Sequence, residues 1–390
     1  MLQQILASAL SCGLCLAGSA LAYGEEGDAP TNGVQTDAPA ATKSDVKVTT
    51  VAEGLINPWS LQFLPDGRML VTERVGNLRI VTSSGEISPP IKGVPKVYAR
   101  GQGGLLDVRL AKDFAETGNL FLSYSGRENK SRSTTTVARA KLVLTDTGGA
   151  LENVTVIFKQ TPSVVSGRHF GSRIVLNDDG TLFITTGDRG SQSSAAQDPK
   201  KLIGKVIRIN ADGTVPDDNP RKSGWAPQVW SMGHRNIQGA ALHPKTRDLW
   251  TVEHGARGGD ELNQPQKGAN YGWPVITYGR DYSGIRIGIG TEKEGLEQPV
   301  YYWVPSIATS GLVFYTGDLF ANWKGNALVG GLAGSVIQRL VMKNNQVIAQ
   351  ESLLAGEGYR FRDLRQGPDG AVYVLTDSRS GRILKITPAE

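Results

Sequence analysis

The 390-residue chain reads as an all-β protein, a six-bladed β-propeller in which a site would form on the loop face around a central channel. Three observations lead there. One phrase, an apolar strand, an Asp-Gly type turn and a second strand, recurs six times from Val46 onward. The 48 glycines and 19 prolines punctuate short apolar runs, the composition of many brief strands joined by turns. Helical periodicity is nearly absent. A small antiparallel sheet cannot bury both faces alone, and stacking copies in a closed ring covers them while leaving only short, protected edges. A β-sandwich has similar strand content but gives no reason for six phrases of one kind.

Taken in order, residues 1–22 read as a secretory signal, because an unbroken apolar run ends in Ala20-Leu-Ala22, a small-x-small cleavage pattern followed by polar residues. Their first residues carry no Lys or Arg, so a retained anchor stays open as the alternative. Cleavage after Ala22 predicts a periplasmic or secreted protein with no stable membrane insertion. It also removes Cys12 and Cys15, the only cysteines, so the mature chain needs no disulfide. Residues 23–45 have too few large apolar groups to form a core and read as a disordered lead-in. Residues 46–390 form the single propeller domain. A net charge of +5, spread without basic blocks, argues against a nucleic-acid partner.

The clearest copies of the phrase begin at Ser60, Arg173 and Arg362, and weaker ones at Leu105, Gly239 and Gly311. The intervening stretches 190–235 and 254–300 are expected as loops gathered around the channel. In the third copy His169 stands before the first strand and Asp188 follows the second, so the hairpin can return the carboxylate to the imidazole. A carboxylate there would fix the tautomer and raise the basicity of a general base. Both residues are equally ordinary as turn formers or packing groups.

Before the fourth copy, Trp230-Ser-Met-Gly-His-Arg-Asn236 places Arg235 beside Asn236, a fork of donors next to a group that both donates and accepts. Such a pair suits an anionic, carbonyl-rich ligand, or an Arg merely bonded to loop carbonyls. His234 is assigned to structure. After that strand, Glu253-His-Gly-Ala-Arg-Gly-Gly-Asp-Glu-Leu-Asn263 offers carboxylates in a glycine-rich turn of the kind a hard cation uses, at a spacing unlike an EF-hand. Tyr271-Gly-Trp273-Pro274 reads as a buried aromatic corner. In Tyr359-Arg-Phe-Arg-Asp363, period-two alternation sends Arg360 and Arg362 to one side of a strand, where an anion must separate them. That anion is either a ligand or a protein carboxylate.

Together, GQGGLLDV, RHFGSRIV, DGTLFITTGDRG, GHRNIQG, HGARGGDELN, NYGWP, PSIATSGL and YRFRD, in this order, resemble the soluble PQQ-dependent sugar dehydrogenases, the glucose/sorbosone or aldose sugar dehydrogenase family. The resemblance covers nearly all of 46–388. It implies a six-bladed propeller that uses PQQ and calcium to oxidise aldoses at the anomeric carbon to lactones, with an external electron acceptor. By resemblance, His169 is the general base and Asp188 its orienting carboxylate. Gln102 lies at the edge of the site, reaching sugar and histidine and counted with the cofactor contacts. Arg235 and Asn236 contact the cofactor, with Arg235 near the quinone oxygens, and Arg360 and Arg362 face its carboxylates. The carbonyls of Gly255 and Ala256 hold the cofactor's calcium; Glu261 and the backbone of Tyr271 hold a second. One departure is Ala333, where many members carry a lysine that touches the cofactor.

Two other functions are compatible with a propeller. A calcium-dependent lactonase requires several carboxylates converging on one channel-centred metal, and a secreted binding propeller has no use for the His, Asp, Asn and Arg set above.

Overall fold

The protein's structure, a computed structural model, describes residues 37–389. Six antiparallel sheets follow one another along the chain, five of four strands and one of three. Blade one is Pro58–Phe63, Met69–Glu73 and Asn77–Val81, extended by a bridge from Val81 to Ile87. In blade six, the strand Val46–Leu55 pairs with the last strand, Gly381–Pro388. First and last segments therefore share a sheet, closing the ring without a free edge between them.

Each seam between neighbouring blades has its own apolar cluster. Leu70 and Leu78 meet Leu105 and Leu122 between blades one and two. Trp250 and Val252 meet Leu312 and Val329 between four and five. Leu61 and Val71 meet Leu375 and Ile383 between one and six. At roughly 1.5–3 kcal/mol per fully buried aliphatic side chain, these seams rather than any one sheet supply the stability.

The innermost strands are bulged near the same register, as between Pro58 and Ser60, Leu105 and Val108, Ile237 and Gly239, and Phe361 and Asp363. A bulge adds twist and re-aims side chains, here into the channel. Arg173 crosses it, pairing with Asp363 at 3.0 Å and Asp107 at 3.4 Å, while Arg365 reaches the same two carboxylates. Burial alone would raise the Asp107 carboxyl, but Arg109, Arg173 and Arg365 hold it below its ordinary range. These buried groups fill the channel, and the centre of the Trp59 ring lies 4.2 Å from the Arg173 guanidinium carbon.

Two expectations change. The signal at 1–22 and most of the lead-in lie outside the described residues, but 37–45 is packed rather than disordered. Ala38 is buried among Trp250, Tyr301 and Leu340, Ala40 bridges Gln350, and Ser44 Oγ joins Glu351 and Trp323. The segment covers the outer edge of blade five and supplies partners that its own composition does not reveal. The stretch 190–235 is not simply a loop, since Lys205–Asn210 and Val229–Met232 are the outer strands of blade three. Within 254–300, Asp260–Asn263 is likewise a strand.

Candidate active site

The hairpin of Ile174–Leu176 and Thr181–Thr185 pairs Ile184 with Ile174 and Leu182 with Leu176. That register continues upward, with Ser172 donating to the Thr185 carbonyl, and so delivers Asp188 to His169. His169 Nδ1 lies 2.6 Å from Asp188 Oδ1. The Gly190 amide also donates to Oδ1, and the Trp273 indole N–H donates to Oδ2 at 2.9 Å. Burial would raise the Asp188 carboxyl, but the His169 bond, the charge of Arg235 and the Gly190 amide bring it below the usual range. An ionised Asp188 accepts the proton on Nδ1, which leaves the lone pair on Nε2. Gly187 permits this approach, because a Cβ there would lie 2.3 Å from the His169 carbonyl oxygen.

Gln102 reaches the histidine through its main chain, its Oε1 accepting from the His169 N–H at 2.7 Å. Asn236 supports the same loop by accepting from the Gly171 N–H, and neither of its two acceptor bonds uses its own amide donors. Arg235 lies across the indole of Trp273 at 5.2 Å and donates to the His254 carbonyl. Arg360 and Arg362 do converge, but on Asp377: Arg362 Nη2 is 2.9 Å from its Oδ2 and Arg360 Nη2 is 3.9 Å away. The protein therefore carries its own anion between the two cations. Burial raises the Asp377 carboxyl, but the charge and hydrogen bond of Arg362, with Arg74 and Asn57, together take it down to about 2. Arg362 is nearly buried while half of the Arg360 side chain is exposed, because Arg360 precedes the strand that begins at Phe361. Arg360 also donates to the Leu332 carbonyl, beside exposed Ala333.

The buried Nε atoms of Arg235 and Arg362 lack partners. Oriented cations with unused N–H groups at a channel mouth fit a polyanionic, carbonyl-bearing cofactor. Among the described residues, no group of three or more His, Cys, Asp or Glu side chains could hold a metal. Gly255 and Ala256 lie in a turn anchored by Asp260, whose Oδ1 accepts from the Gly255 N–H at 2.8 Å. A Cβ on Gly255 would lie 2.1 Å from the Gly258 oxygen, so the turn requires glycine there. Lower down, Glu253 and Glu261 face each other across paired strands and share the Asn263 amide, whose Oδ1 is buried without a partner. Burial and the neighbouring Glu253 push the Glu261 carboxyl well up. This surplus of acceptors suits a hard cation. Tyr271 follows the same loop, its ring stacked on His234.

Two contributors escaped the sequence reading. Trp273 was expected as an aromatic corner, yet its indole serves Asp188, 85 residues away in sequence, and no local spacing signals that. His254 is the other. Its Nε2 lies 2.7 Å from the Thr309 carbonyl, and burial, with Arg235, Arg362 and His169 nearby, depresses it to about 3. It is a neutral imidazole inside a cationic site, and its position directly after Glu253 in the glycine-rich turn was the only hint.

Residues 55–385 match the Glucose / Sorbosone dehydrogenase family. The chain is 43% identical over 353 residues to the aldose sugar dehydrogenase YliI of Escherichia coli (strain K12), covering 89% of this chain and 94% of that protein. The solved apo-form of the soluble aldose sugar dehydrogenase from Escherichia coli superposes with a TM-score of 0.85, over 88% of this chain and 100% of that one at 43% identity. The PQQ-bound aldose sugar dehydrogenase of Streptomyces coelicolor superposes with a TM-score of 0.74 at 28% identity, over 90% and 99% of the two chains. With the propeller and nearly its whole length accounted for, the chain belongs to the glucose/sorbosone dehydrogenase family and is a sugar-oxidising oxidoreductase.

Proposed function

We propose that this protein oxidises aldose sugars at the anomeric carbon to lactones, using PQQ and calcium, with His169 as the general base. The observation that carries the reading is the His169 and Asp188 pair, at 2.6 Å, beside cations whose buried N–H groups are unused. A relative with PQQ bound supports the cofactor. Arg235, Asn236, Arg360 and Arg362 would hold it, and the carbonyls of Gly255 and Ala256 would hold its calcium. Glu261 and the backbone of Tyr271 would take a second calcium.

When bound, PQQ would supply the two-electron acceptor for a hydride, and calcium a Lewis acid. His169 Nε2 accepts the proton of the C1 hydroxyl as the C1–H bonding pair departs as hydride, leaving a C1=O bond. Asp188 stabilises the imidazolium that forms, and Trp273 keeps the carboxylate from rotating away. Arg235 stabilises negative charge that develops near its guanidinium. Gln102 holds the histidine's backbone and borders the sugar. An external electron acceptor would be needed to complete the turnover. The signal-like residues 1–22 support action in the periplasm or outside the cell, and no described helix is long and apolar enough to cross a membrane.

The test is reconstitution. Purified apoprotein supplied with PQQ and calcium should reduce an artificial acceptor in the presence of aldoses and release the lactone. Lactone hydrolysis with no quinone reduction would reject the reading.

A further inference from the structure

Beside the histidine pair lies an arginine that the proposed chemistry does not use. Arg189 is fully buried, and among the described residues no carboxylate lies within ion-pair distance of it. Its guanidinium instead grips the loop carrying His169. Nε donates to the Arg168 carbonyl at 3.0 Å, and Nη2 to the Ser166 carbonyl at 2.8 Å. Nη1 and Nη2 reach the carbonyl and hydroxyl of Ser133, in the neighbouring blade, at 3.0 Å each. The guanidinium carbon sits 3.8 Å from the centre of the Phe170 ring. The main chain adds to this, since the Arg189 N–H donates to the His169 carbonyl and Ser166 Oγ donates to the Arg189 carbonyl. One residue thus touches Ser166, Arg168, His169 and Phe170, while Gly167 is held by the Gln102 amide.

The clamped loop needs such support. His169 has φ of 49° and Arg189 itself 60°, left-handed conformations that a residue with a Cβ occupies only when its surroundings impose them. Leaving a guanidinium without a carboxylate is costly, and burial lowers Arg189 to about 9 despite the opposing charge of Asp188. It remains charged at neutral pH. A carboxylate partner would relieve that cost but would compete for the donors that fix the loop. Five N–H groups in a rigid plane can hold two blades and one loop together, which a lysine ammonium cannot.

We infer that Arg189 is the positioning residue for His169, clamping a left-handed loop so that the imidazole meets Asp188 and presents Nε2 to the substrate. This inference rests on the reading of His169 as the base, and it separates from that reading because turnover of His169→Gln tests the base while the Arg189 and Ser166 variants, which keep the histidine, test its placement. Arg189→Lys and Arg189→Met should lower kcat about 10²-fold with KM little changed, the scale on which misplacing a catalytic group by about 1 Å acts. Ser166→Ala, which removes one strut with little change in volume, should lower kcat by a smaller factor and keeps the question open to measurement if the Arg variants do not fold.

A second readout needs no cofactor. In the apoprotein, the His169 Nδ1–H held by Asp188 should give a strongly downfield proton resonance, identified by its loss in His169→Gln. The His234 Nδ1–H held by Glu253 gives a matching internal control. The clamp predicts that the His169 signal moves or broadens in Arg189→Lys and in Ser166→Ala while the His234 signal stays. Wild-type kcat per bound cofactor with an unmoved His169 signal in these variants would overturn the inference, as would equal disturbance of both signals, which marks a general loosening of the fold.

Discussion

The protein builds the same dyad twice, in adjacent blades, and puts the copies to different use. His169 precedes the inner strand of blade three and meets Asp188 beyond its second strand; His234 precedes the inner strand of blade four and meets Glu253 at the end of its second strand. In both, Nδ1 faces the carboxylate, at 2.6 and 2.9 Å. The difference lies at the other nitrogen. His234 Nε2 is 2.8 Å from Ser231 Oγ, its ring stacks on Tyr271, and its side chain is 0% exposed. The His169 side chain keeps 12% of its surface open at the channel mouth, and its Nε2 remains available. A hairpin can make a histidine–carboxylate pair wherever its register allows, and only the surroundings of the second nitrogen decide whether that pair is a strut or a base.

The sharpest way to break this comparison is to treat both histidines alike. His169→Gln should keep the fold and bind PQQ, yet lose on the order of 10²–10⁴-fold in turnover. Single-turnover reduction of the bound cofactor checks this, and an undiminished rate would make His169 a second strut. Next in size is the cofactor end of the mouth. Arg362→Ala should weaken PQQ binding by roughly 2–5 kcal/mol, because a buried guanidinium leaves behind both Asp377 and the ligand anion. The more exposed Arg360→Ala should cost less. Titration calorimetry giving equal losses would mean burial does not rank the two cations.

Removal of the proposed calcium should act on the strut side as well, where Glu253 and Glu261 sit together. Chelation should abolish turnover and lower the melting temperature, a ligand at about 100 times its Kd contributing about 2.7 kcal/mol. Unchanged melting would remove both calcium assignments. His234→Gln should then cost about 1–3 kcal/mol of stability by leaving the buried Glu253 under-satisfied, while turnover of the folded variant stays within a few-fold of wild type. A catalytic loss as large as that of His169→Gln would end the distinction between the two pairs. The smallest effect concerns Asp188. Its carboxyl is lowered in the fold, so its stabilising contribution is full above the ordinary value of 3.8 and is lost as pH falls through the lower folded value. The stability gap between wild type and Asp188→Asn, followed by acid titration, should therefore hold above the ordinary value of 3.8 and narrow as pH falls from there through the lower folded value.

The ring of six blades was legible because each blade repeats the same local signals, strand alternation and an Asp-Gly turn, and closure follows from covering sheet faces. The juxtaposition of His169 with Asp188 was legible for the same reason, since one hairpin carries both. The pairing of Arg360 with Arg362 was half legible: their closeness is local, but the carboxylate between them is Asp377, on the next strand's far end. Residues 37–45 look too polar to fold, and they are held by Gln350, Glu351 and Trp323, more than 270 positions away.

Local sequence thus determined the repeat, the turns and every contact that a single hairpin can make, because such contacts depend on register alone. Only the tertiary structure decided that Trp273 reaches Asp188, that Arg189 ties the His169 loop to the neighbouring blade, and that Arg173 plugs the channel between blades three and six. These contacts join segments whose separation along the chain carries no periodic signal. They exist because closing the ring brings distant loops into one crowded mouth, where each buried donor must find whatever acceptor the neighbouring blade presents.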